Sequence, residues 1–165
     1  MNIQPIGIIH TPFMASDGTP IQPSVAKGAE GTVQVFDDYA KGLMDIEGFD
    51  RIWLLFWFDR SSEAKLTVIP YKDDRKHGLF ATRAPCRPNP IGLSSVRLLG
   101  VEGTILHVAG VDMLDGTPLL DIKPYVPSFD VYDTVRCGWL DTASDTTKAD
   151  SRFEKLPHRN TGNDT

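Results

Sequence analysis

The stretch RIWLLFWFDR, Arg51–Arg60, is the strongest structural signal in the sequence. Its seven consecutive apolar residues, Ile52–Phe58, form a run that is too short for a typical buried helix. A strand enclosed on both faces accommodates such a run, because neither side of the strand has to meet water. We therefore expect this segment to be the central strand of the fold, buried on both faces.

Further strand patterns lie on both sides of this segment. They are the apolar run around Ile8, TVQVF (32–36), KLTVIPY (65–71), GLSSVRLLGV (92–101), TILHVAGV (104–111) and LLDIKPYV (119–126). Glu102-Gly103 and the DGTP tetrapeptide at 115–118 have the composition of tight turns. Because turn signals recur at short intervals and strands do not alternate with helices, the sequence favours a mostly β fold, a barrel or a folded sheet.

Two segments depart from the strand pattern. In DDYAKGLMDIEGF (37–49), Asp37 or Asp38 can cap one short helix that ends near Gly48. From residue 141 to residue 165 the chain is mainly polar, which is typical of an appendage or a mobile tail. We expect one domain over residues 1–140 and a polar C-terminal tail over 141–165.

Charge and composition limit the possible functions. The 165-residue chain has a formal net charge of -5, so it lacks an overall positive field for nucleic acid and would need a local basic patch. The chain contains neither a glycine-rich nucleotide motif nor a G-x-S-x-G serine motif, which argues against Rossmann, P-loop and serine-hydrolase sites. Cys86 and Cys137 are predicted to be free thiols. The sequence shows neither a signal peptide nor an apolar run long enough to cross a bilayer, and a cytoplasmic location is expected.

The stretch ATRAPCRPNPIGLSSV, 81–96, places two arginines in a backbone stiffened by prolines. Pro88 and Pro90 have restricted φ angles, and they also push the residues before them out of the helical region. Arg83 and Arg87 on such a backbone could bind a carboxylate or phosphate at a low cost in ordering. Alternatively, the prolines only separate two strands and the arginines are solvated.

The segment VDMLDGTPLLDIKPY, 111–125, gathers Asp112, Asp115, Asp121 and Lys123 around a tight turn. Such a turn can present backbone amides and a carboxylate to a ribose, an amine or a cationic centre. It could equally be a plain hairpin turn. Clustered carboxylates also raise the hypothesis of a Mg²⁺ or Ca²⁺ site, but the EF-hand spacing is missing and we assign no metal.

Four strings together resemble the TsaA/TrmO family: PIQPSVAKGAEGTVQVF, GFDRIWLLFWF, HGLFATRAPCRPNPIGLSSVRL and DMLDGTPLLDIKPYVP. The resemblance covers roughly residues 3–130. It implies a TsaA-like single-sheeted β-barrel, an S-adenosylmethionine cofactor, and methylation of N6 of threonylcarbamoyl-adenosine at position 37 of tRNA. It also implies a homodimer that binds the tRNA anticodon loop, without a membrane partner.

The resemblance also implies roles for particular residues. The expected cofactor-binding residues are Pro20, Ile21, Gln22, Asp59, Arg60, Arg83, Leu93, Asp115, Gly116, Thr117 and Pro118. Asp121 or Lys123 could assist proton loss from N6 and are the catalytic candidates. Arg87, Asn89 and Tyr125 are expected to contact the substrate. Three other functions stay open: a methyltransferase of the same fold with another substrate, a cofactor-binding regulatory module without catalysis, and a plain interaction domain, which the proline-arginine string disfavours.

Overall fold

Six antiparallel strands close into a barrel in the computed structural model, which describes residues 2–26 and 28–155. The strands are β1 (Gly7–His10), β2 (Glu30–Val35), β3 (Arg51–Trp57), β6 (Ile91–Glu102), β7 (Ile105–Ala109) and β8 (Thr117–Pro124). Around the barrel they follow the order β1-β2-β7-β6-β3-β8, and β8 pairs with β1 to close the ring. Strands β4 (Thr67–Val68) and β5 (His77–Gly78) form a separate small sheet. The predicted mostly β barrel is confirmed.

Strand β3 lies between β6 and β8 and contributes three side chains to the core. Ile52, Leu54 and Phe56 are buried, whereas the alternate residues Trp53, Leu55 and Trp57 are only partly buried. The prediction of a strand buried on both faces is therefore wrong. A barrel encloses only one face of each strand, so the outward-pointing residues remain partly accessible.

A register shift between β3 and β8 decides which residues of β8 enter the core. Leu55 pairs with Asp121, but the next residue, Phe56, pairs with Leu119. The extra residue on β8 is a bulge, which reverses the inward and outward alternation beyond it. As a result Leu119 and Ile122 both pack in the core, although three positions separate them.

The predicted short helix at 37–49 is not an α-helix. Two 3₁₀ turns occupy this region, Asp37–Leu43 and Ile46–Gly48, and no side-chain cap bonds to either. Asp45 lies between them with φ of 65°, a left-handed conformation that interrupts any continuous helix. The described residues contain one short α-helix, α1 (Pro127–Asp130).

A second apolar cluster lies outside the barrel and contains Val68, Leu79, Ala84, Cys86 and Phe153. Phe153 belongs to the region predicted as a tail. Residues 143–155, here called the C-terminal segment, therefore pack onto the domain, and backbone hydrogen bonds join them to its loops. Residues 156–165 of the predicted tail lie outside the described residues. Cys86 and Cys137 are both free, as predicted. No helix in the described ranges is long and apolar enough to cross a membrane.

Candidate cofactor and substrate site

A cavity of about 350 Å³ opens at the barrel end where β3 stops and where β6 and β8 begin. Eight of the eleven residues predicted to bind the cofactor line it. These eight are Pro20, Ile21, Gln22, Asp59, Arg60, Arg83, Leu93 and Thr117. Phe56, Phe58, Met113 and Leu114 add apolar surface, and Arg87 also lines the cavity. Residues from four separate parts of the sequence thus converge on one site.

Close packing at the cavity floor requires a glycine. A Cβ atom built on Gly92 would lie 2.2 Å from the Phe56 ring, well inside van der Waals contact. Phe56 in turn packs edge-to-face against Phe58, with ring centroids 5.2 Å apart. Gly92 therefore lets two aromatic rings form the floor.

The DGTP turn is locked to the end of β1. Gly116 has φ of 75°, which glycine adopts without strain, and its amide donates to the Ile9 carbonyl at 2.9 Å. The Asp115 carboxylate accepts from the Thr11 amide at 3.0 Å and lies 3.3 Å from Nδ1 of His10. Asp115, Gly116 and Pro118 are not among the cavity-lining residues, so this turn supports the wall from behind while Thr117 reaches it.

Arg60 connects this turn to the loop that follows β3. Its Nη2 donates to the backbone carbonyl of Asp115. Its Nε is buried and has no hydrogen-bond partner among residues 2–26 and 28–155, because the nearest Asp59 oxygen is 3.8 Å away. A buried guanidinium N–H without a partner, beside a cavity, is suited to a ligand acceptor.

The two arginines of the proline-rich stretch have different surroundings. Arg83 donates to the side-chain oxygen of Gln22 at 2.6 Å and stays exposed at the cavity rim. Arg87 donates to the backbone carbonyls of Thr82 and Ala84, at 3.0 and 3.4 Å, and stacks on Phe80. Arg87 therefore helps to hold its own loop, whereas Arg83 links two of the predicted cofactor segments.

Asp112 also lines the cavity, although the sequence pattern predicts no particular role for it. The Ser94 hydroxyl donates to its Oδ1 at 2.6 Å. Burial raises the pKa of Asp112 from 3.8 to about 6, against the lowering effects of the Ser94 hydrogen bond, of its own backbone amide and of the Arg83 charge. The sequence placed Asp112 in an acidic turn, but only the fold turns it towards Ser94.

The C-terminal segment closes one side of the cavity through Ala149, Phe153 and Glu154. The Ile21 amide donates to the Thr147 carbonyl at 3.1 Å, and the Ala149 amide donates to the Thr19 carbonyl at 2.7 Å. At the other loop, the Ser62 amide donates to the Phe153 carbonyl at 2.7 Å, and the Lys155 amide donates to the Arg60 carbonyl at 3.1 Å. The segment is therefore hydrogen-bonded to both predicted cofactor loops.

A second, more open groove of about 660 Å³ shares Gln22, Arg83 and Leu93 with the first cavity. Tyr125 lines this groove and packs against Trp53, with ring centroids 5.5 Å apart. Arg51 and Arg97 lie along the same groove. The groove therefore combines positive charge with aromatic side chains, and it is continuous with the first cavity.

Besides Asp115, Gly116 and Pro118 of the DGTP turn, three more predicted site residues line neither cavity. Asp121 and Lys123 form an ion pair of 2.8 Å and stand opposite Leu55 and Trp53 on the outer face of the barrel. Asn89 is exposed and lines neither cavity. The described part of the chain contains no cluster of three or more His, Cys, Asp or Glu side chains that could hold a metal.

Comparison with known proteins gives one consistent family. A family model described as the tRNA-methyltransferase O N-terminal domain matches residues 8–131. A probable S-adenosyl-L-methionine-binding protein of Pyrococcus abyssi is 58% identical over 138 residues, covering 84% of this chain and 75% of the relative. A crystal structure of TrmO from P. aeruginosa aligns with a TM-score of 0.72 and 40% identity, over 86% of this chain.

Some similar proteins are much longer than this chain. The mouse tRNA (adenine(37)-N6)-methyltransferase is 40% identical over 134 residues, which cover 77% of this chain but only 31% of the mouse protein. The alignment with the P. aeruginosa TrmO structure covers 62% of that chain. The similarity therefore concerns the barrel domain of these longer proteins.

Proposed function

Because this chain belongs to the family of tRNA-methyltransferase O N-terminal domains, we propose that it binds S-adenosylmethionine in the barrel-end cavity and methylates N6 of threonylcarbamoyl-adenosine at position 37 of tRNA. The convergence of eight of the eleven predicted cofactor residues on one cavity carries the proposal. The names of its relatives, which specify binding of this cofactor or methylation of tRNA adenine 37, support the same conclusion.

The cavity suits the chemical groups of this cofactor. Its volume of about 350 Å³ falls within the usual range for small-molecule sites. The unpartnered Nε of Arg60 and the exposed guanidinium of Arg83 can receive a carboxylate. The aromatic floor and the Met113–Leu114 wall offer apolar surface for a purine and for the methylene groups beside the sulfonium.

In the proposed reaction the chain aligns the cofactor with the acceptor nitrogen and supplies charged groups around them. S-adenosylmethionine supplies, when bound, an electrophilic methyl carbon on a sulfonium sulfur. Pro20, Ile21 and Gln22 hold one side of the cavity, and the Asp59-Arg60 pair holds another. The floor and the C-terminal segment would shield the cavity from bulk water, and the residues on its sides would hold the bound methyl donor and the acceptor nitrogen in one relative orientation.

The threonylcarbamoyl group offers a carboxylate next to the base, and Arg83 or Arg87 at the cavity rim can bind it. The adjoining groove, with Arg51, Arg97 and the Trp53–Tyr125 pair, suits the phosphates and splayed bases of an anticodon loop. This local patch would offset the net charge of -5. Asn89 remains a predicted substrate contact at the edge of the same proline-rich loop.

Assembly and location are parts of the same proposal. We infer a homodimer, which the resemblance to the TsaA/TrmO family implies and which the exposed apolar side chain of Leu93 supports. A cytoplasmic location remains a prediction from the sequence.

A cofactor-binding module without catalysis is the second candidate. It is favoured by one observation: the predicted catalytic residues Asp121 and Lys123 lie on the outer face, bonded to each other. The archaeal relatives are also named as binding proteins.

Methyl transfer to defined tRNAs separates these functions. The purified protein is incubated with methyl-labelled S-adenosylmethionine and with two tRNAs that differ only in the threonylcarbamoyl group. We expect label only in the tRNA that carries this group. Equal labelling of both tRNAs would contradict the substrate assignment. Cofactor binding by calorimetry without transfer to either tRNA would favour the binding module.

A further inference from the structure

Methylation of an N–H group requires a proton acceptor, and the cavity contains three carboxylates: Asp59, Asp112 and Glu154. Asp59 is exposed at the rim beside Arg60. Glu154 accepts the Ser16 amide at 2.8 Å, and its hydrogen bonds with Ser16 lower its pKa, so it is a weak base. Asp112 is the carboxylate left facing the reaction space.

The fold holds Asp112 in a defined orientation. Its neighbours Val111 and Met113 are buried in the barrel core and anchor the backbone on both sides. The buried Ser94, on β6, donates to Oδ1 and leaves Oδ2 available. No other side chain in the described ranges donates a hydrogen bond to this carboxylate, so one oxygen can receive a proton.

We propose that Asp112 is the proton acceptor of the methyl transfer, an inference that rests on the function proposed above. The electron pair of the acceptor nitrogen forms the new N–C bond, the S–C bond breaks with its pair remaining on sulfur, and the N6 proton moves to Oδ2 of Asp112. The positive charge of the sulfonium and the negative charge of the carboxylate disappear together, so charge and atoms balance.

The surroundings of Asp112 fit this role. A carboxyl with a pKa of about 6 is ionised at neutral pH and is a stronger base than an ordinary aspartate. The titratable and charged groups that share its cavity are Asp59, Arg60, Tyr71, Arg83, Arg87 and Glu154. Arg83 acts on Asp112 through its charge and lowers its pKa. By contrast, the Asp121–Lys123 pair stands on the outer face and is stabilised as an ion pair.

The decisive variant is Asp112→Asn, which keeps the side-chain shape and can still accept from Ser94 but cannot take up a proton. We expect its single-turnover rate to fall by ~100-fold or more, the usual range for a lost general base. Its affinity for S-adenosylmethionine, measured by calorimetry, should stay close to that of the wild type. Asp38→Asn, an exposed carboxylate that lines neither cavity, is the matched control.

The pH profile identifies the group. The wild-type rate of methyl transfer should rise with pH and level off above about pH 6, whereas the rate of Asp112→Asn should not depend on pH. Ser94→Ala removes a hydrogen bond that lowers the pKa, so its profile should shift to higher pH.

Stability provides a readout that is independent of catalysis. Because the folded-state pKa is raised, the contribution of Asp112 to stability is full below pH 3.8 and is lost as the pH rises through about 6. The stability of Asp112→Asn relative to the wild type, measured from denaturation midpoints, should therefore increase between pH 4 and pH 7. A constant difference across this range would contradict the raised pKa and the inference.

The remaining outcomes of these experiments overturn either the inference or the proposed function. An active Asp112→Asn with a wild-type pH profile overturns the inference, as does a loss of the titration in Asp121→Asn instead. A loss of cofactor affinity that accounts for the whole effect makes Asp112 an anchor for the cofactor's positive charge and also overturns it. A wild type that binds the cofactor but methylates no tRNA overturns the proposed function, and the inference with it.

Discussion

The cavity has two unlike sides: the end of the barrel and the C-terminal segment, 143–155. The barrel side is formed by strands whose neighbours pair along their length, and its apolar residues belong to the main core. The C-terminal segment is held by backbone hydrogen bonds to loops, by side-chain contacts of Arg152 and Glu154, and by the single buried side chain of Phe153. The barrel is expected to open only on global unfolding, whereas the segment can detach locally.

The barrel end therefore forms the site, whereas the C-terminal segment closes it. The family model matches residues 8–131, so the barrel side lies within the region shared by the family. The C-terminal segment lies beyond that region, yet it bonds to both loops that carry predicted cofactor residues. We therefore expect changes on the barrel side to abolish the reaction, and changes in the segment to weaken binding.

The largest effect is expected from Arg83→Ala. This change removes a guanidinium from the cavity rim and breaks the link to Gln22. Methylation should be lost, with cofactor affinity reduced by ~100-fold, in the range measured for a charge-assisted contact. The unfolding midpoint should not move, because Arg83 is exposed. Arg75→Ala, an exposed arginine outside both cavities, is the control. Full activity of Arg83→Ala would falsify this role.

Phe153→Ala tests closure by the segment, and its effect should be smaller. The aromatic ring packs edge-to-face on Tyr71 and fills the second apolar cluster. Its loss should release the segment locally and reduce cofactor affinity by ~10-fold, which corresponds to about 1.4 kcal/mol. Hydrogen exchange should speed up at the Ile21 and Ser62 amides, which donate to the segment.

Phe129→Ala is the matched control for this experiment, because Phe129 is 70% exposed on α1. Unchanged exchange at both loops in Phe153→Ala would show that the cofactor loops hold themselves without the segment.

The smallest effect is expected from Glu154→Gln. Hydrogen bonds with Ser16 lower the pKa of Glu154, so its contribution to stability is present above the ordinary pKa of 4.5 and is lost as the pH falls through the lowered value. Near neutral pH the variant should bind the cofactor only a few-fold more weakly, because the half-buried Glu154 carboxylate is still screened by solvent. As the pH falls below 4.5 the difference between the two proteins should shrink, and it should vanish only below the lowered pKa of Glu154. Calorimetric titrations at pH 7 and pH 4 test this: the difference in affinity should be smaller at pH 4, and a difference that is undiminished there would contradict it.

Several features could be predicted because their signals are local. Alternation, turn composition and the Glu102-Gly103 hairpin predicted β6 and β7, and Gly103 has φ of 62° in that turn. The resemblance predicted cofactor residues of which eight meet in one cavity. The role of the C-terminal segment could not be predicted, because its polar composition carries no information about long-range backbone pairing with loops 16–21 and 60–62.

The sequence by itself determined the strand content, the free thiols and eight of the residues that meet at the barrel end, since these follow from short-range patterns and from motif strings. Only the tertiary structure decided which carboxylates face the cavity. Strict alternation from the buried Leu119 would have turned Asp121 inwards, but the bulge on β8 places it outside and leaves Asp112 beside Ser94. A bulge depends on how two distant strands pair, and no property of either strand alone specifies that register.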